Sequence, residues 1–246
     1  MMELRIAHLY PDLLNLYGDR GNIIALQRRC AWRSIGCSVT NISIDDPFDT
    51  SRYDLVFMGG GQDHEQNLLH QDLIEKKGPL IRQAVEEGLV FLCICGSYQL
   101  MGHYYEEQDG SRITGIGALD LYTRAKPNRL IGDLIARSDF LARQGRDPML
   151  LGFENHSGRT WLGPSVRPLA TVTRGFGNNG EDHGEGAIYK NAYCTYAHGS
   201  FLPKNPDMAD HLIETALKRR FSDMEPLLKL DNLYENNARS FLLSCK

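Results

Sequence analysis

The chain has 246 residues, 42% of them hydrophobic and 24% charged, with a net charge of −4. That length and composition describe one globular domain, or a domain with a small appendage, with ample material for a core. The mild negative charge leaves no basic footprint and argues against nucleic acid as the main ligand. Six irregularly spaced cysteines (Cys30, Cys37, Cys93, Cys95, Cys194, Cys245) form no disulfide framework in a chain this long, so a reducing cytoplasm is the expected location. The amino terminus lacks the apolar run of a signal peptide, and no segment approaches the length of a membrane span.

Leu4 to Tyr10 reads as a short strand, followed by a polar loop from Pro11 to Gly21. Ile23, Ile24, Leu26, Gln27, Cys30 and Ala31 then have helical spacing. Asp19 or Asn22 is suited to cap that helix, and Asp19 has a second reading as a site residue, because loops after the first strand of an α/β sheet hold ligands. Cys37 to Ile44 alternates as a second strand, and Tyr53 to Met58 is a third, ending in Gly59-Gly60-Gly61-Gln62-Asp63. Three glycines just past a strand let the backbone approach a ligand closely, either to present N–H groups to an oxyanion or to cradle phosphate. The phosphate reading lacks its spacing, since no Gly-x-x-x-x-Gly-Lys-Ser/Thr or Gly-x-Gly-x-x-Gly is present, and a tight turn would need fewer glycines. Leu68 to Glu87 has the pattern of a long amphipathic helix.

Leu89 to Ile94 is apolar throughout and fits a central parallel strand covered on both faces. Cys95-Gly96 follows at once, and Ser97 to Gly102 is helix-forming. A strand, a sharp turn and a helix put the turn residue at the carboxyl edge of the sheet, in the manner of a hydrolase nucleophile elbow. Backbone N–H groups and the helix terminus would favour a thiolate there, so Cys95 is a candidate nucleophile; the alternative is a small buried side chain that ends a core strand. Cys93, inside the strand, reads as structural. The Cys-x-Cys pair with no second pair does not suit zinc, and no metal site is expected.

After His103 the character changes. Glu106 to Arg112 is a polar turn, and Gly115 to Arg124, Arg129 to Leu134 and Leu151 to His156 read as short strands joined by irregular loops. Residues 174–186 are so rich in glycine and polar groups that they read as an exposed loop. Ala187 to Ala197 holds two more strands and ends at His198-Gly199. Pro206 to Arg219 is a helix, with a further short helix in the last twenty-odd residues. The expected fold is therefore α/β: an open, mostly parallel twisted sheet with helices on both faces and a small antiparallel extension, in a single domain spanning 1–246. A cysteine nucleophile needs a base, and the carboxyl end of another strand is where such a sheet supplies one. His198 meets that description. His64 and His183 fall in polar loops, His70, His103 and His211 in or near helices, and His8 inside a strand.

Cys95-Gly96-Ser97-Tyr98-Gln99-Leu100-Met101-Gly102 resembles the nucleophile motif of class I glutamine amidotransferases, in the branch of the cobyric acid synthase glutaminase domains. Gly59 to Asp63 matches the family's oxyanion loop, and Thr195 to Gly199 its histidine motif. Gly152 to Thr160 and Leu16 to Asn22 resemble one subgroup, the glutaminase subunits of lipid II isoglutaminyl synthases. The resemblance implies that Cys95 attacks the side-chain amide of L-glutamine to form a γ-glutamyl thioester and that His198 protonates the ammonia and then activates water. It implies oxyanion donors at Gly60 and Gly96 and substrate contacts at Gln99 and Arg129; without it, Arg129 reads as an ordinary surface arginine. It also implies a Mur-ligase-like partner subunit (MurT) that binds ATP and magnesium, because this chain has no nucleotide motif and no cofactor of its own is expected. The partner would amidate the D-glutamate of lipid II to D-isoglutamine; the alternative acceptor is a corrinoid, as in cobyric acid synthesis. Many class I members carry a glutamate two residues after the histidine, where this chain has Ser200. The group that orients His198 is thus open, with Asp19 or a backbone carbonyl as candidates.

Overall fold

The computed structural model describes residues 2–15, 18–61 and 69–244. Leu16, Gln62, Asp63, His64, Leu68 and Cys245, all named above, lie outside them. The first sheet has six strands in the order β11-β12-β4-β3-β1-β2. They are β1 (Glu3–Leu9), β2 (Gly36–Ile42), β3 (Leu55–Met58), β4 (Val90–Ile94), β11 (Ala187–Tyr189) and β12 (Ala192–Thr195). All pairings are parallel except that of β11 with β12. Every residue of β3, β4 and β12 is buried, as expected of central strands with helices on both faces.

Helix α1 (Arg20–Ala31) follows the first loop, but neither candidate cap serves it. Asp19 makes no side-chain cap hydrogen bond, and Asn22 instead accepts the Leu202 N–H at 2.7 Å. The single helix expected before β4 is divided: Asp72–Lys77 is π-helical, and α2 (Gly78–Glu86) is α-helical. Pro79 has no N–H and its ring crowds the carbonyl four residues back, so the α ladder cannot run through it and a wider turn takes its place. The turn is held by a buried Lys77–Asp72 ion pair, with Tyr10 Oη donating to Asp72 at 2.8 Å.

The antiparallel part is larger than an extension. A second six-stranded sheet contains β5 (Tyr104–Glu106), β6 (Arg112–Thr114), β9 (Ala170–Arg174), β10 (Gly184–Glu185) and two long strands, β7 (Leu121–Arg137) and β8 (Met149–Leu162). Two of the stretches expected as separate short strands merge into β7 because residues 126–129 bulge out opposite Ser157, which absorbs Pro127 without ending the pairing. Residues 174–186 are only in part the exposed loop expected: Gly175, Phe176 and Gly180 to His183 are exposed, but Asn178, Asn179 and Glu185 are buried. Some of their partners lie within the segment, where the Asn178 side chain both donates to Gly186 O at 2.9 Å and accepts from Gly186 N at 2.8 Å, and others lie outside it, where Asn179 donates to Thr160 O at 3.1 Å and Glu185 accepts from Thr195 and Tyr196.

The two sheets meet at one place that matters for function. Phe153 of β8 pairs with His198, whose N–H donates to Phe153 O at 2.7 Å. The neighbouring Gly152 permits this approach, since a Cβ there would lie 2.4 Å from Ala197 Cβ. Gly152→Ala is expected to destabilise the fold by about 1–3 kcal/mol through overpacking, read from the midpoint of urea unfolding.

Candidate active site

The strand order β12-β4-β3-β1 makes four adjacent carboxyl ends. The residues after them are His198, Cys95, Gly59 to Gly61 and the loop that carries Asp19. Cys95 sits between β4 and α3 (Gly96–Leu100) with φ +51° and ψ −103°. A non-glycine residue in that conformation costs about 1–3 kcal/mol and persists only where its surroundings over-determine it. Here they do. The Cys95 N–H donates to Thr195 O at 2.9 Å, its carbonyl accepts Gln99 N at 3.0 Å, and the Ser97 hydroxyl ties the turn to Met58 O at 2.8 Å. The Gly96 amide opens α3 and is one of those a helix cannot satisfy itself.

His198 is fully buried, with Nδ1 3.6 Å from Asp19 Oδ2, a distance for charge attraction rather than a formed hydrogen bond. Asp19 is also fully buried and accepts the Gly60 N–H at 2.7 Å. Gly60 is where the cluster closes: a Cβ there would lie 2.7 Å from His198 Cε1, 3.3 Å from Asp19 Oδ2 and 3.5 Å from Cys95 Cβ. Burial alone would drive the His198 imidazole toward neutrality. Cys95, through charge and hydrogen bonding, and the nearby Asp19 carboxylate together outweigh it and push the ring up to about 10. The ring is therefore held as an imidazolium at neutral pH.

Ser200 does not stand in for an orienting glutamate. Its hydroxyl donates to Gly18 O at 2.7 Å and so fastens the Asp19 loop to the histidine segment. Gln99 is buried, with Nε2 donating to Tyr196 Oη at 3.1 Å. Arg129 is exposed on the β7 bulge and makes its contacts with Asn155, through Nε to Oδ1 at 2.7 Å and Nη2 to the carbonyl at 2.9 Å. Asn155 lies two residues along β8 from Phe153, about 7 Å of strand, which puts the anchor of Arg129 close to the His198 backbone. Among the described residues no group of His, Cys, Asp and Glu could hold a metal.

Behind the site lies a buried polar layer that sequence reasoning did not assign. The His156 ring stacks on Tyr196 at 3.6 Å between centroids, and Tyr196 Oη meets Thr160 Oγ1 at 2.7 Å. Glu154 accepts the amides of Phe176 at 2.6 Å and Gly177 at 2.9 Å. Glu185 accepts from Thr195 and Tyr196. His156, Tyr196, Thr160 and Glu154 fall in stretches already noted for their resemblance, but Glu185 stands between two glycines in the polar segment 174–186, where no pattern marks it.

The fold is that of the glutamine amidotransferases. A solved glutamine amidotransferase from Thermotoga maritima superposes with a TM-score of 0.55 at 16% identity, covering 97% of this chain and 93% of its own. The chain belongs to the CobB/CobQ-like glutamine amidotransferase domain family, whose pattern matches residues 5–206. It is 43% identical over 99% of its length to the subunit GatD of lipid II isoglutaminyl synthase (glutamine-hydrolyzing) from Staphylococcus aureus (strain N315), covering 96% of that protein. The GatD subunit from Streptococcus pneumoniae (strain ATCC BAA-255 / R6) is also 43% identical, over 89% of this chain and 82% of its own.

Removing the Asp19 charge removes one of the influences that hold the proton on His198. In Asp19→Asn the imidazolium is expected to lose its proton at lower pH than in the parent, by about one unit or more, measured by NMR titration of the labelled ring.

Proposed function

We propose that this chain hydrolyses L-glutamine and delivers the ammonia to an ATP-dependent, Mur-ligase-like partner (MurT), which amidates the D-glutamate of lipid II to D-isoglutamine. The observation that carries the chemistry is the convergence of Cys95, at its positive-φ turn, with the buried His198 ring and the Asp19 carboxylate around Gly60. The acceptor rests on the two 43% identical relatives, both named as lipid II enzymes rather than corrinoid ones.

In this mechanism the Cys95 sulfur attacks the side-chain carbonyl carbon of glutamine, the C–N bond breaks, and His198 gives its proton to the departing nitrogen. The neutral imidazole then takes a proton from water as it attacks the γ-glutamyl thioester, and the C–S bond breaks to release glutamate. Asp19 orients and charges the imidazole. Gly96 supplies one oxyanion amide. The Gly60 amide is engaged by Asp19 in this structure, so its use as a second donor requires that Asp19 release it. Each such donor is typically worth about 2.7–4 kcal/mol. Arg129, its fork pre-set by Asn155, holds the α-carboxylate, and Gln99 lines the substrate side of the turn. This chain holds neither ATP nor magnesium in the scheme; both belong to the partner. A cytoplasmic location belongs to the proposal and rests on the cysteine usage; among the described residues no helix is long and apolar enough to cross a membrane.

Cys95→Ser is expected to lower ammonia release from glutamine by at least about a thousandfold. With partner and ATP, the variant still supports amidation from added ammonium, read by mass spectrometry of the muropeptide. Retention of glutamine hydrolysis would remove Cys95 as the nucleophile. Arg129→Ala is expected to raise KM for glutamine by about 10–100-fold with kcat little changed, as befits a residue that binds substrate and transition state alike.

A further inference from the structure

Strand β12 ends at Thr195, three residues before His198. Beyond that point β4 has turned away at Cys95, so the amides of Tyr196, Ala197 and His198 have no neighbouring strand of the first sheet to bond. Each finds another acceptor. His198 N–H reaches Phe153 O at 2.7 Å, Ala197 N–H reaches Thr195 Oγ1 at 2.9 Å, and Tyr196 N–H reaches Glu185 Oε1 at 2.9 Å. The same Glu185 oxygen accepts the Thr195 hydroxyl proton, which fixes the direction of the relay: Thr195 Oγ1 must offer its lone pair to Ala197. Thr195 is also the residue whose carbonyl takes the Cys95 N–H at 2.9 Å. One carboxyl oxygen thus braces the short segment that joins the nucleophile turn to the imidazole.

We propose that Glu185 is a positioning residue for the reaction: by holding the Thr195–Ala197 exit from β12 through Oε1, it sets the spacing between the Cys95 sulfur and the His198 ring. The inference rests on the reading that these two groups do the chemistry. It assigns the work to an acceptor atom and not to a charge. Glu185 is buried, its Oε2 has no hydrogen-bond partner, and among the described residues it enters no ion pair. Burial, with Glu154 adding repulsion, pushes its carboxyl up to about 7 even against the hydrogen bonds it accepts from Thr195 and Tyr196. A neutral side chain with an oxygen in the same place should therefore serve as well.

The test compares Glu185→Gln, Glu185→Ala and Thr195→Val with the parent and with Cys95→Ser, all as full-length chains, in steady-state ammonia release from L-glutamine. Labelling of Cys95 by a diazoketone analogue of glutamine is followed alongside. Glu185→Gln is expected to stay within about threefold of the parent in kcat, and Glu185→Ala and Thr195→Val to lose about 10–100-fold in kcat, with KM little changed and labelling slowed in parallel. Thr195→Val keeps Glu185 and removes only the relay, so it decides the matter if Glu185→Ala does not fold. The inference is overturned if Thr195→Val or folded Glu185→Ala keeps the parent kcat, if Glu185→Gln falls as far as Glu185→Ala, or if KM rises while kcat holds. A Cys95→Ser chain that still releases ammonia would instead sink the catalytic reading, and this inference with it.

Discussion

A missing atom organises the site. At Gly60 the chain has no Cβ, and the space that one would occupy is bounded by the imidazole of His198, the carboxylate of Asp19 and the Cβ of Cys95, at 2.7, 3.3 and 3.5 Å. Any larger residue must displace His198, because the nearest clash is with its ring and not with a flexible chain end. The parallel sheet brings four strand ends side by side, but only a bare backbone between β3 and the first loop lets the groups they carry converge. The positive φ at Cys95 and the clasp between Ser200 and Gly18 serve the same end, tightening loops around that point.

Within this packing, the electrostatic environment separates residues of one type into different roles. His8 and His211 are mostly buried, and burial pushes each ring down to about 4, so both are neutral in the folded chain. His198 is buried more deeply and moves the other way, to about 10, because Cys95 and Asp19 face it. Desolvation is the largest single influence in all three cases, so the sign of the outcome is set by neighbours. A ring that keeps its proton until a leaving nitrogen needs it suits the proposed role of acid first and base second.

Much of the frame was legible in the sequence because central parallel strands announce themselves: Leu55 to Met58 and Leu89 to Ile94 are apolar without alternation, and the residues after them fall at strand ends by construction. Cys95 and His198 were legible as strand-end residues for the same reason. What failed was local composition as a guide to exposure. Residues 174–186 look solvated because they are glycine and polar, yet Asn178, Asn179 and Glu185 are buried, and partners such as Tyr98 and Thr160 come from distant parts of the chain that no short window of sequence contains. The long β7 was hidden by Pro127, which a bulge accommodates. Asp19 had two readings at first, cap or site residue, and the absence of any cap hydrogen bond removes the former.

Strand β8 has a consequence for how this chain can change over time. Within three consecutive residues it touches the backbone of His198 through Phe153 and the guanidinium of Arg129 through Asn155. A strand moves in whole-residue steps, and a single step turns each side chain to the opposite face. Gaining or losing one residue there would scramble both contacts at once, whereas the turn between β5 and β6 could grow freely at the surface. The distance between the two contacts is therefore a fixed ruler, and a change of length along it would break both.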